Sequence, residues 1–313
     1  MIGEKMKSVY VIGATGHIGS YLCPALIPEG FNVVGYSRGN IQAYPEFKRE
    51  YRSCLRKADR KEAIEQALKE NADVICDLIP YTLDDAKYLC ERINEYNMQH
   101  EIRIISIGSI WVYGVKRKRP ITEADEREAK DKYGKNKALI EKYLLDQYKK
   151  SGLAVTILHP GHICGKGWLP IGPLGNRDLN VIINIKRGNR IILPDNGEAT
   201  LQHVHASDIA KMIIRVINNN KSIGETFNVV CEKPISLKNY AEMLYQYYGN
   251  KPNIEFVDYK HFMTQLKRQD AVVSAEHIDR SPNVSMRKAK LFLDFEPLYS
   301  EKETLIEAIQ SIL

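Results

Sequence analysis

Ser8-Val-Tyr-Val-Ile-Gly-Ala-Thr-Gly-His-Ile-Gly19 decides the fold. Ser8 to Ile12 is a short β-branched run ending at Gly13, which predicts a buried strand. The residues after Gly16 read as a helix to about Leu26. A strand that turns through Gly13, Gly16 and Gly19 into a helix is a dinucleotide-binding turn. The first glycine permits the tight turn, the second lets backbone approach a pyrophosphate, and the third lets helix and strand pack closely. The helix N-terminus adds N–H donors and positive potential for phosphates. Gly13, Thr15, Gly16, His17, Ile18 and Gly19 form the predicted cofactor turn. For His17 two readings stand: a residue near the phosphates, or a plain surface residue at the helix start.

Outward from this turn the periodicity alternates. Phe31–Tyr36, Ala72–Ile79, Ile102–Ile107 and Ala154–Leu158 read as strands. Lys61–Glu70, Asp84–Tyr96 and Lys132–Lys150 read as helices. That alternation predicts an α/β fold, a Rossmann-type doubly wound parallel sheet. After Pro160 a passage rich in glycine and proline intervenes, from Gly161 to Gly175. Strand and helix return over Thr200–Ile217, and Phe227–Val230 is a further strand. The expectation is an NAD(P)-binding domain from residues 1–160 and 200–232, with a smaller C-terminal α/β substrate lobe from 161–199 and 233–313.

Bulk properties bound the function. The chain has 313 residues, 44% hydrophobic and 27% charged, ordinary for a folded protein. No apolar run is long enough to span a membrane. Met1–Lys7 lacks the apolar core of a secretion signal, and the six cysteines form no Cys-x-x-Cys, so a cytoplasmic protein with reduced thiols is expected. The net charge of +6 suits phosphorylated small ligands and does not indicate nucleic acid.

The end of the second strand selects the cofactor. An acidic residue there binds the ribose 2′-hydroxyl of NAD. This chain has Ser37 followed by Arg38, and a guanidinium suits a 2′-phosphate. NADP is therefore predicted over NAD. The reaction centre is read from Tyr133-Gly-Lys-Asn-Lys137 and from Ser109 at the end of an apolar strand. Tyr133 and Lys137 share one helix face. A phenol has a pKa of ~10, and lowering it to ~7 takes about 4 kcal/mol. The Lys137 ammonium and a positive nicotinamide both favour phenolate. Lys137 can also hold the nicotinamide ribose, and Ser109 is expected to align the substrate oxygen. Ser109, Tyr133 and Lys137 are the predicted catalytic residues.

With these motifs in order, the chain resembles the extended short-chain dehydrogenase/reductases, the NAD-dependent epimerase/dehydratase family. Val9 to Gly19, Ile107-Gly-Ser-Ile-Trp-Val-Tyr-Gly114, Pro120-Ile-Thr-Glu123 and Tyr133 to Lys137 carry the resemblance. Leu158-His-Pro-Gly161, His203 to Ala210 and Ser285 to Pro297 extend it over nearly the whole chain. The resemblance implies that Tyr133 deprotonates a sugar hydroxyl while hydride leaves the carbon, that the transient ketone turns over, and that hydride returns to its other face. It also implies a homodimer formed through two helices per subunit, one of them bearing Tyr133. Three departures stand out. Ile110-Trp111 replaces the acidic pair of the family's dehydratases, His159 replaces a usual arginine, and Cys164 replaces a frequent tyrosine.

The expected function is an NAD(P)-dependent epimerase or oxidoreductase acting on a hydroxyl-bearing carbon, of a nucleotide sugar. Two alternatives stand beside it: an NADPH-dependent reductase of a small carbonyl compound, and a non-enzymatic cofactor-sensing or RNA-binding member of the fold. His162 and Trp168 follow the strand at the sheet's carboxyl edge and are expected to line the substrate pocket. His159, His162, His203 and His205 have no recognisable ligand spacing, so no metal is expected. Lys116-Arg-Lys-Arg119 reads as a solvated loop or as an attractor for a substrate diphosphate. Tyr240, Tyr245, Tyr247 and Tyr248 read as helix packing and surface.

Overall fold

The computed structural model describes residues 6–39, 52–114 and 120–313. Met1 to Lys5 and the basic run Lys116–Arg119 lie outside the described residues. Strands β1 (Ser8–Ile12), β2 (Asn32–Ser37), β3 (Leu55–Lys57), β4 (Val74–Asp77), β5 (Arg103–Ile107) and β6 (Ala154–Pro160) alternate with helices α1 (Gly19–Leu26), α2 (Arg60–Lys69), α3 (Leu83–Glu95) and α4 (Lys132–Ser151). The later elements are β7 (His162–Cys164), α5 (Leu179–Lys186), β8 (Ile191–Pro194), β9 (Thr200–Leu201), β10 (His203–His205), α6 (Ala206–Ile217), β11 (Glu225–Val229), β12 (Ile235–Ser236), α7 (Leu237–Tyr247), β13 (Ile254–Val257), α8 (Tyr259–Gln265), α9 (Arg268–Arg280), α10 (Arg287–Leu293) and α11 (Glu301–Gln310).

Seven strands form one parallel sheet in the order β11-β6-β5-β4-β1-β2-β3. Its strands read as apolar runs because both faces are covered. Val9 and Val11 enter the core shared with α1, α6 and α10, while Tyr10 and Ile12 enter the core under α2, α3 and α4. The strand order runs outward in both directions from β1 and β4. The carboxyl ends of these two strands therefore flank the topological switch point, where ligands bind in such sheets.

A separate core gathers Ile171, Ile182, Leu193, Leu237, Leu244, Phe262 and Leu305. Around it lie three small two-stranded sheets, β10-β7, β12-β9 and β13-β8. Tyr240 and Tyr245 are buried in this core, whereas Tyr247 is exposed and meets Tyr248 edge to face. Residues of α10 pack instead with the first core, beside β11. The helix expected directly after Gly16 begins at Gly19; Gly16 to Ile18 belong to the turn. The edge strand β3 was not expected from sequence, because two of its three residues are exposed and charged.

Candidate active site

The glycine turn forms a cradle that side chains would fill. Gly13 has φ +90°, a left-handed conformation open to glycine. A Cβ on Gly19 would lie 2.4 Å from the Gly13 carbonyl oxygen and 2.5 Å from the Ala14 carbonyl. The cradle opens into a cavity of about 640 Å³ between the ends of β1 and β4. Gly13, Thr15 and Gly16 line its floor, Ser37 and Arg38 one end, and Ile79 and Tyr81 another part of the wall. Arg60 is committed to Asp77, with Nε–carboxylate distances of 3.2 and 3.3 Å, and lies 3.6 Å from Asp85. Glycine backbone facing a helix start, in a cavity that reaches from the end of β2 to the end of β4, fits a dinucleotide. His17 is not a plain surface residue: its imidazole is half-buried and stacks under the Trp168 indole, with ring centroids 4.1 Å apart.

Ser109, Tyr133 and Lys137 come together beside this cavity. Ser109 ends the β5 segment as the cap of the turn Ile110–Tyr113, and its Oγ accepts the Trp111 N–H at 3.2 Å. Asp131 caps α4 by accepting the Gly134 N–H at 2.8 Å. A Cβ on Gly134 would lie 2.7 Å from the Trp111 carbonyl oxygen. The glycine inside Tyr133-Gly-Lys thus lets the first turn of α4 close on the Ser109 turn. Tyr133 faces Ser109, whose side chain favours the phenolate. Lys137 is buried, and its Nζ donates to the carbonyl oxygens of Pro80 and Ile107, each at 2.7 Å.

Tyr133 is 40% exposed overall, but desolvation around its phenol pushes it above the ordinary value, and this outweighs the lowering by Ser109. The Lys137 ammonium donates to backbone carbonyls and lies 5.7 Å from the Tyr133 ring centroid. Burial lowers Lys137 itself to about 8, against the opposing pull of Asp77 and Asp85. The chain's own groups therefore leave the phenol protonated at neutral pH.

His159 joins the strand ends to α4. Its Nδ1 lies 2.9 Å from the Ser109 carbonyl oxygen, and its Nε2 lies 3.2 Å from Glu141. Arg127 Nε donates to both Glu141 oxygens, at 3.0 and 3.1 Å. Burial alone would raise the Glu141 pKa, but His159 and Arg127 outweigh it and hold the carboxyl down at about 2. That value lies below the ~4.3 of an unfolded glutamate. The ionised pair thus contributes stability that is fully present above pH ~4.3 and lost as pH falls toward about 2. Thermal midpoints measured across that window are expected to fall less steeply in Glu141→Gln than in the wild type.

The structure does not bring His162 and Trp168 to one place. His162 packs between His277 and His203, with ring centroids 4.9 and 5.3 Å away, and its Nδ1 is buried without a hydrogen-bond partner. Burial, then His277 and His203, hold its pKa well below the ordinary histidine value. Trp168 lies across the glycine turn and lines the dinucleotide cavity.

Sequence reading missed Arg280 and His277. Arg280 donates to Asp131 at 2.6 Å and stacks over the Trp111 ring at 3.6 Å, and His277 meets Trp111 edge to face. No local signal in α9 announces these contacts. Glu141 was findable, since it lies four residues beyond Lys137 on the same helix face. His203 and His205 engage Glu301 and Glu307 on α11. Among the described residues, no group of His, Cys, Asp and Glu is arranged to hold a metal. Nor is any helix there long and apolar enough to cross a membrane.

Comparison with known proteins agrees with this geometry. The model of the NAD dependent epimerase/dehydratase family matches residues 9–230. The chloroplast stem-loop binding protein of 41 kDa b from Arabidopsis thaliana is 24% identical over 96% of this chain and 78% of its own length. The 2′-dehydrokanamycin reductase of Streptomyces kanamyceticus is 22% identical over 88% of this chain and 79% of its own. Among solved structures, dTDP-glucose 4,6-dehydratase from Bacillus anthracis in complex with NAD superposes with a TM-score of 0.76 at 19% identity, covering 97% of this chain and 96% of that one. UDP-glucose 4-epimerase from Thermotoga maritima with UDP-glucose gives 0.73 at 18% identity, covering 97% and 98%. These likenesses establish the shared fold.

Proposed function

The chain belongs to the NAD dependent epimerase/dehydratase family, and on that premise we propose that it is an NAD(P)-dependent oxidoreductase that inverts a hydroxyl-bearing carbon of a nucleotide sugar. The observation that carries the proposal is the convergence of Tyr133, Ser109 and Lys137 beside a cavity that fits a dinucleotide. Tyr133 takes the proton of the substrate hydroxyl, and Ser109 fixes that oxygen against it. When bound, a nicotinamide supplies the hydride acceptor and a positive charge that favours the phenolate. Lys137, held by the Pro80 and Ile107 carbonyls, adds a fixed cation and a donor at that end of the cavity. Tyr133 returns the proton after the ketone has turned over. Ile110 and Trp111, apolar where a dehydratase carries acids, favour inversion over elimination. A thermal-shift screen of the NADP-saturated protein against nucleotide sugars tests this reading, since a ligand that binds only the folded state raises its stability.

Arg38 supports NADP as the cofactor, because it lines the cavity at the end of β2 where a carboxylate would repel a 2′-phosphate. Arg38→Glu is expected to weaken NADP binding by about tenfold or more, roughly 1.4 kcal/mol, and to leave NAD binding nearly unchanged. Equal losses for both cofactors, measured by titration, would remove the assignment. The homodimer rests on the resemblance and on the outer face of α4, where Leu139 is 48% exposed beside Ala138 and Leu145. Six cysteines, none in a disulfide, support a reducing cytoplasm.

A second reading, an NADPH-dependent reductase of a small carbonyl compound, is favoured by the Streptomyces relative, whose name is that of a reductase. Stoichiometric consumption of NADPH separates a reductase from an epimerase, which consumes none. The stem-loop binding relative favours a third reading, an RNA-binding member of the fold. A salt-sensitive RNA shift without turnover would support it.

A further inference from the structure

We propose that Trp168 is a dinucleotide-binding residue, carried by a strap, Gly165–Trp168, that the second core throws across the glycine turn. The proposal rests on the dinucleotide reading of that turn. Among the described residues lining the cavity, Trp168 is the one drawn from the chain beyond Asp85. Its indole lies nearly parallel to the His17 imidazole, 13° between planes, so it roofs the helix start that faces the ligand.

The strap is fixed at both of its sides. The Lys166 N–H donates to the Tyr21 hydroxyl at 2.9 Å, which ties it to α1. The Gly167 N–H donates to the Ser311 Oγ at 2.9 Å, which ties it to the end of α11. Gly165 makes the close approach possible: a Cβ there would lie 2.9 Å from the Tyr21 hydroxyl and 3.1 Å from the His17 Nε2. Burial, with His205 and Arg177 nearby, lowers the His17 pKa to about 3, so the ring is neutral at physiological pH. The stack therefore brings no charge to the phosphates. It supplies a flat apolar wall that excludes water from one side of the cavity, and wide aromatic contact of this kind carries a large share of binding energy. A wall tied to α11 also makes cofactor retention depend on the second core.

Binding and release of NADPH, measured without substrate, test the proposal. Trp168→Ala is expected to weaken NADPH binding about tenfold or more, mostly through faster dissociation. Trp168→Phe, which keeps a ring on His17, is expected to stay close to the wild type. Thermal unfolding without cofactor checks that each variant folds; if Trp168→Ala does not, Trp168→Leu is measured in its place, with the same loss expected. Wild-type affinity and release in the ring-less variant would overturn the proposal while the dinucleotide reading stands. So would a variant changed only in substrate KM, which would return Trp168 to the substrate pocket. A wild-type protein that binds neither NADPH nor NADH would overturn both.

Discussion

Tyr133→Phe is expected to lower turnover by about 10²–10⁴-fold, the usual range for losing a positioned acid–base group. The substitution removes one oxygen and keeps the ring, so the contact with Trp111 at 5.8 Å survives. The glycine cradle is untouched, and cofactor affinity should hold. The wild-type rate should rise with pH until the phenol ionises in the loaded site. Because burial sets this phenol above its ordinary value in the chain alone, that rise measures how far bound ligands lower it. The acid limb should vanish in Tyr133→Phe. Full activity in this variant, measured by whichever assay the substrate provides, would refute the assigned base.

Gly19→Ala is the second large effect. A methyl there would meet the Gly13 oxygen at 2.4 Å and the Ala14 carbonyl at 2.5 Å. Those neighbours are backbone atoms of the cofactor turn, so relief requires the turn itself to move. Overpacking of this kind costs about 1–3 kcal/mol of stability. Dinucleotide affinity should fall further than stability, since the displaced atoms are the ones that face the pyrophosphate. Titration with NADP and thermal unfolding separate the two effects. An alanine variant with wild-type affinity would show that the turn does not hold the phosphates.

The central sheet was legible because its inner strands are short apolar runs closed by turns, as at Ser8–Ile12 and Arg103–Ile107. Leu55–Lys57 was not, since an edge strand of three residues with two exposed charges carries no hydrophobic signal. Tyr133 and Lys137 were legible because helix geometry puts them on one face. Arg280 was not, since its partner Asp131 lies 149 residues away. The sequence marked His159 as unusual but not its purpose, which needs Glu141 and the Ser109 backbone in view. The two carbonyl oxygens that hold the Lys137 ammonium, on Pro80 and Ile107, were not legible, since they lie 57 and 30 residues away in the chain.

Reversible hydride transfer at a sugar carbon, with Tyr133 as the base, is measured by incubating the protein with NADP and a panel of nucleotide sugars, following the near-ultraviolet absorbance of reduced nicotinamide and identifying the product sugars. One sugar is expected to be converted to its epimer, with no net change in oxidised cofactor and no conversion by Tyr133→Phe. Stoichiometric reduction or oxidation of the cofactor without inversion, or conversion that persists in Tyr133→Phe, would contradict it.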